Sequence, residues 1–446
     1  MKKTLLSLLL SFLSIAILAQ TKEEKLNELL SAYSKMNSFN GTALVSEHGK
    51  ILLNKGYGYK NVENKEANDG ETIFQIGSIT KQFTSTIILK LEEEGRLSLT
   101  DKISKYFPDF PNGDNITVYN LLTHTSGIFN YTNDQQFMMN EAVKPTTEGK
   151  IIALFKDKKL DFEPNTKYSY SNSGYMLLGY IIQKVTGKSY ENVVREYVFN
   201  PLKMSESGFD FVHLDDPNKA TGYFAIGDNK SEKSTLVDSS VSFAAGAIYT
   251  TTGDLLKWHN GLLTNKIVKR ETIEKAFTPF KSKYGLGWNI DSLNKKRVVA
   301  HGGGIFGFNA NFARIEQDDI SIVLLNNVGN PKLSAITKDI FAILYDNPYK
   351  IPEMKKEIKV SEEILKKYIG TYEIVPQFKI NVTVENGTLQ AQATGQSKFE
   401  LFGQKDSYFF AKIADIEIEF VNNEKGEIES LNLYQGGKKT PAKKIN

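Results

Sequence analysis

Strand-like patterns lie at both ends of the first 345 residues and enclose a middle region, residues 115–270, that reads mostly as helices and loops. Near the beginning, two apolar runs between Gly41 and Asn61 flank the polar stretch 47–50, which is typical of a β-hairpin. Three further strand patterns follow late in the chain, at residues 298–300, 308–315 and 320–325. We therefore predict an α/β sandwich over residues 21–345, in which helices and a helical subdomain flank an antiparallel sheet that the late strands complete.

Four segments of the same region carry apolar residues at helical spacing. The first contains Leu26, Leu29, Leu30 and Tyr33 and predicts an amphipathic helix. The other three span residues 78–94, 175–185 and 334–344. A glycine follows the first two of these, at positions 95 and 187, as expected where a helix ends.

The last hundred residues have a different pattern. Residues 346–360 hold two prolines and a lysine-rich polar run, which predicts a linker. Beyond it, apolar and polar residues alternate over 378–384 and 416–420, and Asn-Gly and Lys-Gly pairs mark tight turns. We predict that residues 361–446 form a small all-β, barrel-like domain.

Composition excludes several classes of protein. A chain of 446 residues exceeds what one compact core normally holds, so two domains are expected. The absence of cysteine removes thiol nucleophiles, disulfides, zinc fingers and iron–sulfur clusters. The net charge is only +3 and most cations are lysine, whereas a dedicated nucleic-acid binder normally presents a clustered basic face with arginine. We therefore expect no nucleic-acid partner.

The first twenty residues have the pattern of a secretory signal peptide. Lys2 and Lys3 precede an apolar stretch over residues 5–18, and Ala19-Gln20 leads into a charged run. The apolar stretch is short for a bilayer span of about 20 residues. We predict that residues 1–20 are removed, that no stable membrane anchor remains, and that the protein is periplasmic or secreted.

Several familiar motifs fail when their context is considered. None of the five histidines forms an H-E-x-x-H or similar close pair, so we expect no metal site and no cofactor. Residues 302–307 match G-x-G-x-x-G, but a strand pattern follows where a dinucleotide loop needs a helix. His301-Gly302-Gly303-Gly304 resembles an esterase oxyanion loop, but no serine has glycine at both −2 and +2, as the α/β-hydrolase elbow requires.

Ser78-Ile79-Thr80-Lys81 remains as a candidate for nucleophilic chemistry. A serine hydroxyl needs a neighbouring base, and residues three apart on a helix share a face, so Lys81 can reach Ser78. Ser78 also falls in the first turn of the predicted helix, where free N–H groups favour developing negative charge. The pattern alone does not identify the nucleophile, because Ser292-Leu293-Asn294-Lys295 matches it as well.

Tyr170-Ser171-Asn172 is a second candidate, distinguished by its position. The pattern Y-x-N recurs elsewhere in the chain, but Tyr170 lies between the turn at Pro164-Asn165 and the helix predicted from residue 175. A loop in this position can bring a side chain into a cleft.

Five motifs in this order resemble the serine β-lactamase and penicillin-binding-protein superfamily. They are Ser78–Lys81, Leu-Leu-Thr-His-Thr-Ser-Gly at 121–127, Tyr-Ser-Tyr-Ser-Asn-Ser-Gly-Tyr at 168–175, Tyr-Gly-Leu-Gly-Trp at 284–288 and His301-Gly302-Gly303. The branch most similar to this chain contains class C β-lactamases, D-aminopeptidases, DD-peptidases and related esterases. The resemblance covers roughly residues 25–345, and the tail from about residue 360 resembles the small β-domain that often follows such hydrolases.

The resemblance implies a set of catalytic roles. Ser78 would be the acylated nucleophile, and Lys81 and Tyr170 would share general acid–base duty as a coupled pair. A cationic Lys81 would lower the pKa of the Tyr170 phenol from its ordinary value near 10. The backbone N–H groups of Ser78 and Gly304 would form the oxyanion hole.

The resemblance also implies substrate-binding and structural roles. Asn172 would hydrogen-bond a substrate amide, and His301, Gly302 and Gly303 would form the strand edge opposite the serine. His124 is interpreted as a structural residue packed behind the site. Tyr284 and Trp288 either line the pocket or pack the sheet.

One departure from the family pattern bears on the substrate. Penicillin-recognising members usually carry a hydroxyl residue where this chain has Gly302. We therefore expect hydrolysis of esters, amides or D-amino-acid peptides through a Ser78 acyl-enzyme, with a true β-lactamase or DD-carboxypeptidase as the alternative. A non-catalytic cell-envelope binding protein is the alternative from another class. The expected partner is a small-molecule or peptide substrate, and the oligomeric state stays open.

Overall fold

The computed structural model describes residues 20–227, 231–329, 333–353, 356–396, 398–411, 416–435 and 438–445. The chain divides into two compact units, one ending at Pro352 and the other beginning at Glu353, and this boundary falls within the predicted linker. The predicted signal peptide lies outside the described residues except for Gln20. Among the described helices, none has both the length and the apolar character that a membrane crossing requires.

The first unit contains the α/β sandwich predicted from the sequence. Its helices are α1 Lys22–Lys35, α2 Thr80–Glu93, α3 Val118–Leu122, α4 Gln135–Asn140, α5 Glu148–Ala153, α6 Asn172–Thr186, α7 Tyr190–Val194, α8 Asn200–Leu202, α9 Ser239–Gly246, α10 Thr252–Leu263, α11 Arg270–Ala276 and α12 Leu333–Leu344. Its strands are β1 Gly41–Glu47, β2 Lys50–Tyr57, β3 Tyr59–Asn61, β4 Glu66–Ala67, β5 Phe74–Gln75, β6 Tyr223–Ile226, β7 Ser231–Lys233, β8 Tyr249–Thr250, β9 Asn289–Leu293, β10 Lys296–Ile305, β11 Phe308–Ile315 and β12 Ile320–Asn326. Short 3₁₀ turns include Gly77–Ile79 and Tyr131–Asn133.

The main sheet has the order β2-β1-β12-β11-β10-β9 with antiparallel neighbours, so the late strands complete the sheet begun by the early hairpin. Every residue of β12 is buried because helices cover both faces. Ile322 and Leu324 pack with α1 and α12, whereas Val323 and Leu325 pack with α2 and α10. The predicted hairpin, the four helices and the three late strands are confirmed, while β9 was not predicted.

The nucleophile candidate lies where the helical layer meets the edge of the sheet. The turn Gly77–Ile79 leads directly into α2, whose residues 80–89 are all buried. Strand β10 passes beside this turn, and α6 and α9 pack against α2. Three segments distant in sequence therefore surround the beginning of α2.

The second unit is the predicted barrel-like all-β domain. It contains one helix, α13 Glu362–Lys367, in its described residues, and the strands β13 Gly370–Val375, β14 Phe378–Glu385, β15 Thr388–Ala393, β16 Phe399–Lys405, β17 Tyr408–Phe410, β18 Ile416–Asn422, β19 Ile428–Gln435 and β20 Lys438–Lys444. These strands form a closed antiparallel barrel, because β20 pairs with β13. Aromatic side chains fill part of its core, with the rings of Tyr368 and Phe420 stacked at 4.1 Å between centroids.

Candidate active site

Glycines allow β10 to approach the turn that carries Ser78. Gly77 has φ +49°, and a Cβ added there would lie 2.8 Å from both the N and the O of Gly304. A Cβ on Gly303 would lie 1.9 Å from the Ile76 carbonyl oxygen and 3.3 Å from the Ser78 N. Only residues without a Cβ fit this close approach. The backbones of Ser78 and Gly304, predicted to form the oxyanion hole, therefore belong to directly adjoining segments.

Lys81 is fully buried and its side-chain nitrogen makes three hydrogen-bond contacts. Nζ lies 3.1 Å from Ser78 Oγ, 2.8 Å from Asn172 Oδ1 and 2.7 Å from the carbonyl oxygen of Ala245. Burial holds the pKa of Lys81 well below its ordinary value of 10.5, because a charged amine loses its hydration there. The predicted pairing of Ser78 with Lys81 is thus present in the structure.

The amide of Asn172 is held in a defined orientation at the first residue of α6. Its Oδ1 accepts from Lys81, and its Nδ2 donates to Thr132 Oγ1 at 3.0 Å. The backbone N–H of Asn172 donates to Asn130 Oδ1, also at 3.0 Å. One Nδ2 hydrogen therefore remains for a further acceptor, which is compatible with the predicted contact to a substrate amide.

Tyr170 packs its ring over Lys81, whose Nζ lies 4.9 Å from the ring centroid. The phenolic oxygen is buried and makes no hydrogen bond of normal geometry. Burial raises the pKa of Tyr170 above its ordinary value of 10, and the neighbouring Ser78 hydroxyl only partly offsets this. The expectation that Lys81 lowers this pKa is wrong, because burial favours the uncharged form of both groups.

His124 holds the Tyr170 loop from two sides. Its carbonyl oxygen accepts from the Ser169 N–H at 3.0 Å, and its Nδ1 accepts from the Ser171 N–H at 3.2 Å. Its ring lies 4.2 Å from that of Tyr170 between centroids. His124 itself is fully buried with φ +56°. The residue is thus packed behind the site, in the place interpreted as structural from the sequence.

His301 is buried in a neutral form that faces away from solvent. Its Nδ1 donates to the Gly302 carbonyl at 2.6 Å, since a carbonyl oxygen can only accept, and its Nε2 then accepts from the Tyr284 hydroxyl at 3.0 Å. Burial, together with the nearby Lys81, lowers the pKa of His301 to about 4. Trp288 is fully buried and stacks with Trp258, so it packs the core.

A cavity of about 390 Å³ opens in front of Ser78. Asn172 and Gly304 also line it, whereas Tyr170, His301, Gly302 and Gly303 do not. The structure therefore brings Ser78, Asn172 and Gly304 to the cavity surface, with Lys81 and Tyr170 behind them. The predicted substrate-binding roles of His301, Gly302 and Gly303 stay predictions. In the described part of the chain, no cluster of three or more His, Asp or Glu side chains is placed to hold a metal ion.

The segment around α9, which supplies Lys81 with a carbonyl acceptor, was not predicted from the sequence. Phe243, within α9, has the strained backbone angles φ 34° and ψ −130°. The two carbonyls that follow it accept from α2, that of Ala244 from Thr84 at 2.7 Å and that of Ala245 from Lys81. The run Ala-Ala-Gly-Ala at 244–247 was the available signal, because small residues permit a close approach between backbones.

Comparison with known proteins assigns the family. The β-lactamase family profile matches residues 26–345, and a domain of unknown function (DUF3471) matches residues 354–444. The chain belongs to the β-lactamase family. It is a serine hydrolase of the β-lactamase-related type, with a C-terminal extra domain.

This β-lactamase-family protein is similar to two penicillin-binding proteins of one bacterium and to one solved structure of a homologue. A penicillin-binding protein of Bacillus subtilis (strain 168) is 29% identical, over 95% of this chain and 99% of its own length. The protein PbpX of the same strain is 34% identical, over 73% of this chain and 80% of its own. The solved structure of an octameric penicillin-binding protein homologue from Pyrococcus abyssi has a TM-score of 0.66 and 27% identity, and covers 94% of this chain and 99% of its own.

A further structure is similar in fold. The D-amino acid amidase from Ochrobactrum anthropi SV3 has a TM-score of 0.65 at 23% identity, and the match covers 73% of this chain and 99% of the amidase.

Proposed function

We propose that this protein cleaves an amide or ester bond through a covalent acyl-enzyme on Ser78. The observation that carries the proposal is the environment of the Lys81 amine, which lies 3.1 Å from Ser78 Oγ. Its other two contacts are to Asn172 Oδ1 and the Ala245 carbonyl, which can only accept hydrogen bonds. A neutral amine has two hydrogens for these acceptors and one lone pair, and that lone pair then points to the Ser78 hydroxyl.

The lowered pKa of Lys81 supports the same role. Burial lowers the pKa of this amine and so favours its neutral form, which can take the proton of a serine hydroxyl, whereas an ammonium group cannot. Tyr170, whose pKa is raised, stays protonated, and its hydroxyl lies close to that of Ser78, where it can pass a proton onward once a substrate is bound. Lys81 thus acts as the base and Tyr170 as the neutral proton relay.

The reaction follows from this arrangement in two halves. In acylation, Ser78 Oγ forms a bond to the carbonyl carbon, and its proton moves to Lys81. The oxyanion that forms accepts from the backbone N–H groups of Ser78 and Gly304. The bond to the leaving group then breaks, and the leaving nitrogen or oxygen takes a proton from the Lys81–Tyr170 pair. In deacylation, water adds to the acyl-enzyme by the same steps, which releases the acid and restores Ser78.

For the substrate, we propose D-amino-acid peptides or esters rather than β-lactams. Gly302 provides no hydroxyl at the position where penicillin-recognising members usually have one. The fold similarity to a D-amino acid amidase is compatible with this choice. A true β-lactamase or a DD-carboxypeptidase is the alternative. The signal-peptide pattern of residues 1–20 supports a periplasmic or secreted location.

The test is intact-protein mass spectrometry with a fluorophosphonate and, separately, turnover of a chromogenic cephalosporin. We expect labelling that is lost in Ser78→Ala and retained in Ser292→Ala, because Ser292 lies in the second S-x-x-K sequence. A folded protein that is not labelled would refute the acyl-enzyme, and rapid cephalosporin turnover would favour the β-lactamase alternative. The mass of protein secreted by the producing cell also reports whether residues 1–20 have been removed.

A further inference from the structure

The cavity in front of Ser78 has room for one part of a substrate, either its leaving group or its acyl group. Its wall includes Ser78, Asn172 and Gly304, but neither Lys81 nor Tyr170. The leaving group must meet the Lys81–Tyr170 pair, because that pair returns the proton. The rest of the substrate, its acyl group, therefore extends to the opposite side and occupies the cavity.

The wall of this acyl cavity is largely apolar. Its apolar members are Met138, Phe224, Val237, Val241, Ile305 and Phe306. The rings of Phe224 and Phe306 meet edge to face, with centroids 6.0 Å apart. Phe224 is 41% exposed and Met138 is half-buried, so these side chains present uncovered apolar surface that a ligand can bury.

Most polar groups of the wall already have partners within the protein. The Tyr131 hydroxyl donates to the Val241 carbonyl at 2.7 Å, and Asn309 Nδ2 donates to the Val328 carbonyl at 3.0 Å. Thr132 Oγ1 accepts from Asn172. Among the described residues that line the cavity, none carries a charge. A carboxylate or an ammonium group bound there would lose its hydration without gaining an ionic partner.

We propose that the acyl group of the substrate is apolar and uncharged, and that Met138, Phe224 and Phe306 determine this specificity. The inference rests on the proposed acyl-enzyme function and narrows its substrate class. A D-amino-acid substrate would bind with its amino group acylated, because a free ammonium in the acyl group would bring a charge into the cavity. The volume is near the lower end of the roughly 300–1,000 Å³ range of small-molecule sites, which suits one acyl chain or ring.

Three p-nitrophenyl esters test the proposal with the full-length mature protein. The valerate and the mono-glutarate have acyl chains of five carbons, but only the glutarate ends in a carboxylate, and the acetate is the short reference. We expect kcat/KM for valerate to exceed that for acetate and for glutarate by at least about tenfold each. Rates with Ser78→Ala are subtracted, because the glutarate carboxylate can accelerate its own ester's hydrolysis.

Two neighbouring methionines provide a matched pair of variants. Met138→Lys adds a cation to the cavity wall and is expected to raise the glutarate-to-valerate ratio by about tenfold or more. Met139→Lys adds the same charge one residue away, at a side chain that is 80% exposed and does not line the cavity, and is expected to leave the ratio unchanged. Fluorophosphonate labelling of Ser78 in each variant verifies that the site is intact.

The outcomes separate this inference from the function on which it rests. Ser78-dependent hydrolysis that treats valerate and glutarate alike, or equal shifts in the two lysine variants, would overturn the apolar acyl site and leave the acyl-enzyme standing. No Ser78 labelling and no Ser78-dependent turnover of any ester would overturn the acyl-enzyme, and the acyl-site inference with it.

Discussion

The chain contains two S-x-x-K sequences whose structural settings differ completely. Ser78 lies in a 3₁₀ turn that leads into α2, so Lys81 lies one turn further along the same face and is fully buried. Ser292 lies in β9, and Lys295 follows in the turn to β10, where both residues are exposed. The same four-residue pattern therefore provides a base within 3.1 Å in one place and a solvated hairpin in the other. Local conformation and burial, rather than the pattern, distinguish a nucleophile from a surface serine.

Substituting the lysine of each S-x-x-K sequence is the test with the largest expected effect. Lys81→Met keeps a long apolar side chain but removes the base, and we expect kcat/KM to fall by about 10³-fold or more. Lys295→Met changes an exposed side chain and should leave the rate within about twofold. Steady-state kinetics with p-nitrophenyl valerate measures both. Equal rates for the two variants would remove the basis for treating Lys81 as the base, provided that circular dichroism shows Lys81→Met to be folded.

Two glycine substitutions test whether the close approach of β10 to the Ser78 turn is needed for activity. Gly77 and Gly95 both have positive φ, +49° and +68°, but an added Cβ meets Gly304 only at position 77. In both Gly→Ala variants, alanine at a positive φ destabilises the folded state by about 1–2 kcal/mol. Only Gly77→Ala should also separate the two oxyanion donors, with a loss of about 10²-fold in kcat. Thermal unfolding and kcat are measured together, and a comparable kcat loss in Gly95→Ala would contradict this interpretation.

His124 tests how the Tyr170 loop is positioned. His124→Leu removes the acceptor of the Ser171 N–H, and displacement of Tyr170 is expected to lower kcat by about tenfold to a hundredfold. His124→Asn retains a side-chain acceptor and tolerates the positive φ, so it should recover much of this loss. If the two variants were equally impaired, the hydrogen bond to Ser171 would not be what positions Tyr170.

The pH profile of kcat/KM identifies which group titrates. Lys81 must be neutral to act, so the rate should rise as pH increases through its pKa, which lies well below 10.5. The rate should then stay level to about pH 10, because the pKa of Tyr170 is raised and the phenol remains protonated. The pKa of His301 is about 4, so this residue is already neutral at higher pH. The rising limb should therefore keep its position in His301→Asn, and its loss there would assign the titration to His301.

Local sequence patterns were sufficient to predict helices and strands, because the spacing of apolar residues in these elements follows a period of a few residues. Alternation at Ile380 and Val382 identified a barrel strand, and both side chains are buried in the barrel core. The spacing of Leu26, Leu29 and Leu30 identified the buried face of α1. The pKa of Tyr170 could not be predicted in the same way. The direction of its shift depends on how deeply the loop is buried, and the rings packed against Tyr170 include His124 and His301, which belong to other segments.

Patterns in the sequence were enough to predict that Ser78 and Lys81 share a helix face, that early and late strands flank a helical region, and that an all-β domain follows. These features depend on helical and strand periodicities, which act over a few residues. Three features became visible only in the folded chain: Lys81 is buried against a carbonyl 164 residues away, glycines allow β10 to approach the Ser78 turn, and the acyl cavity has an apolar wall. Desolvation and close approach arise from segments far apart in the chain, and periodicity carries no information about which of them meet.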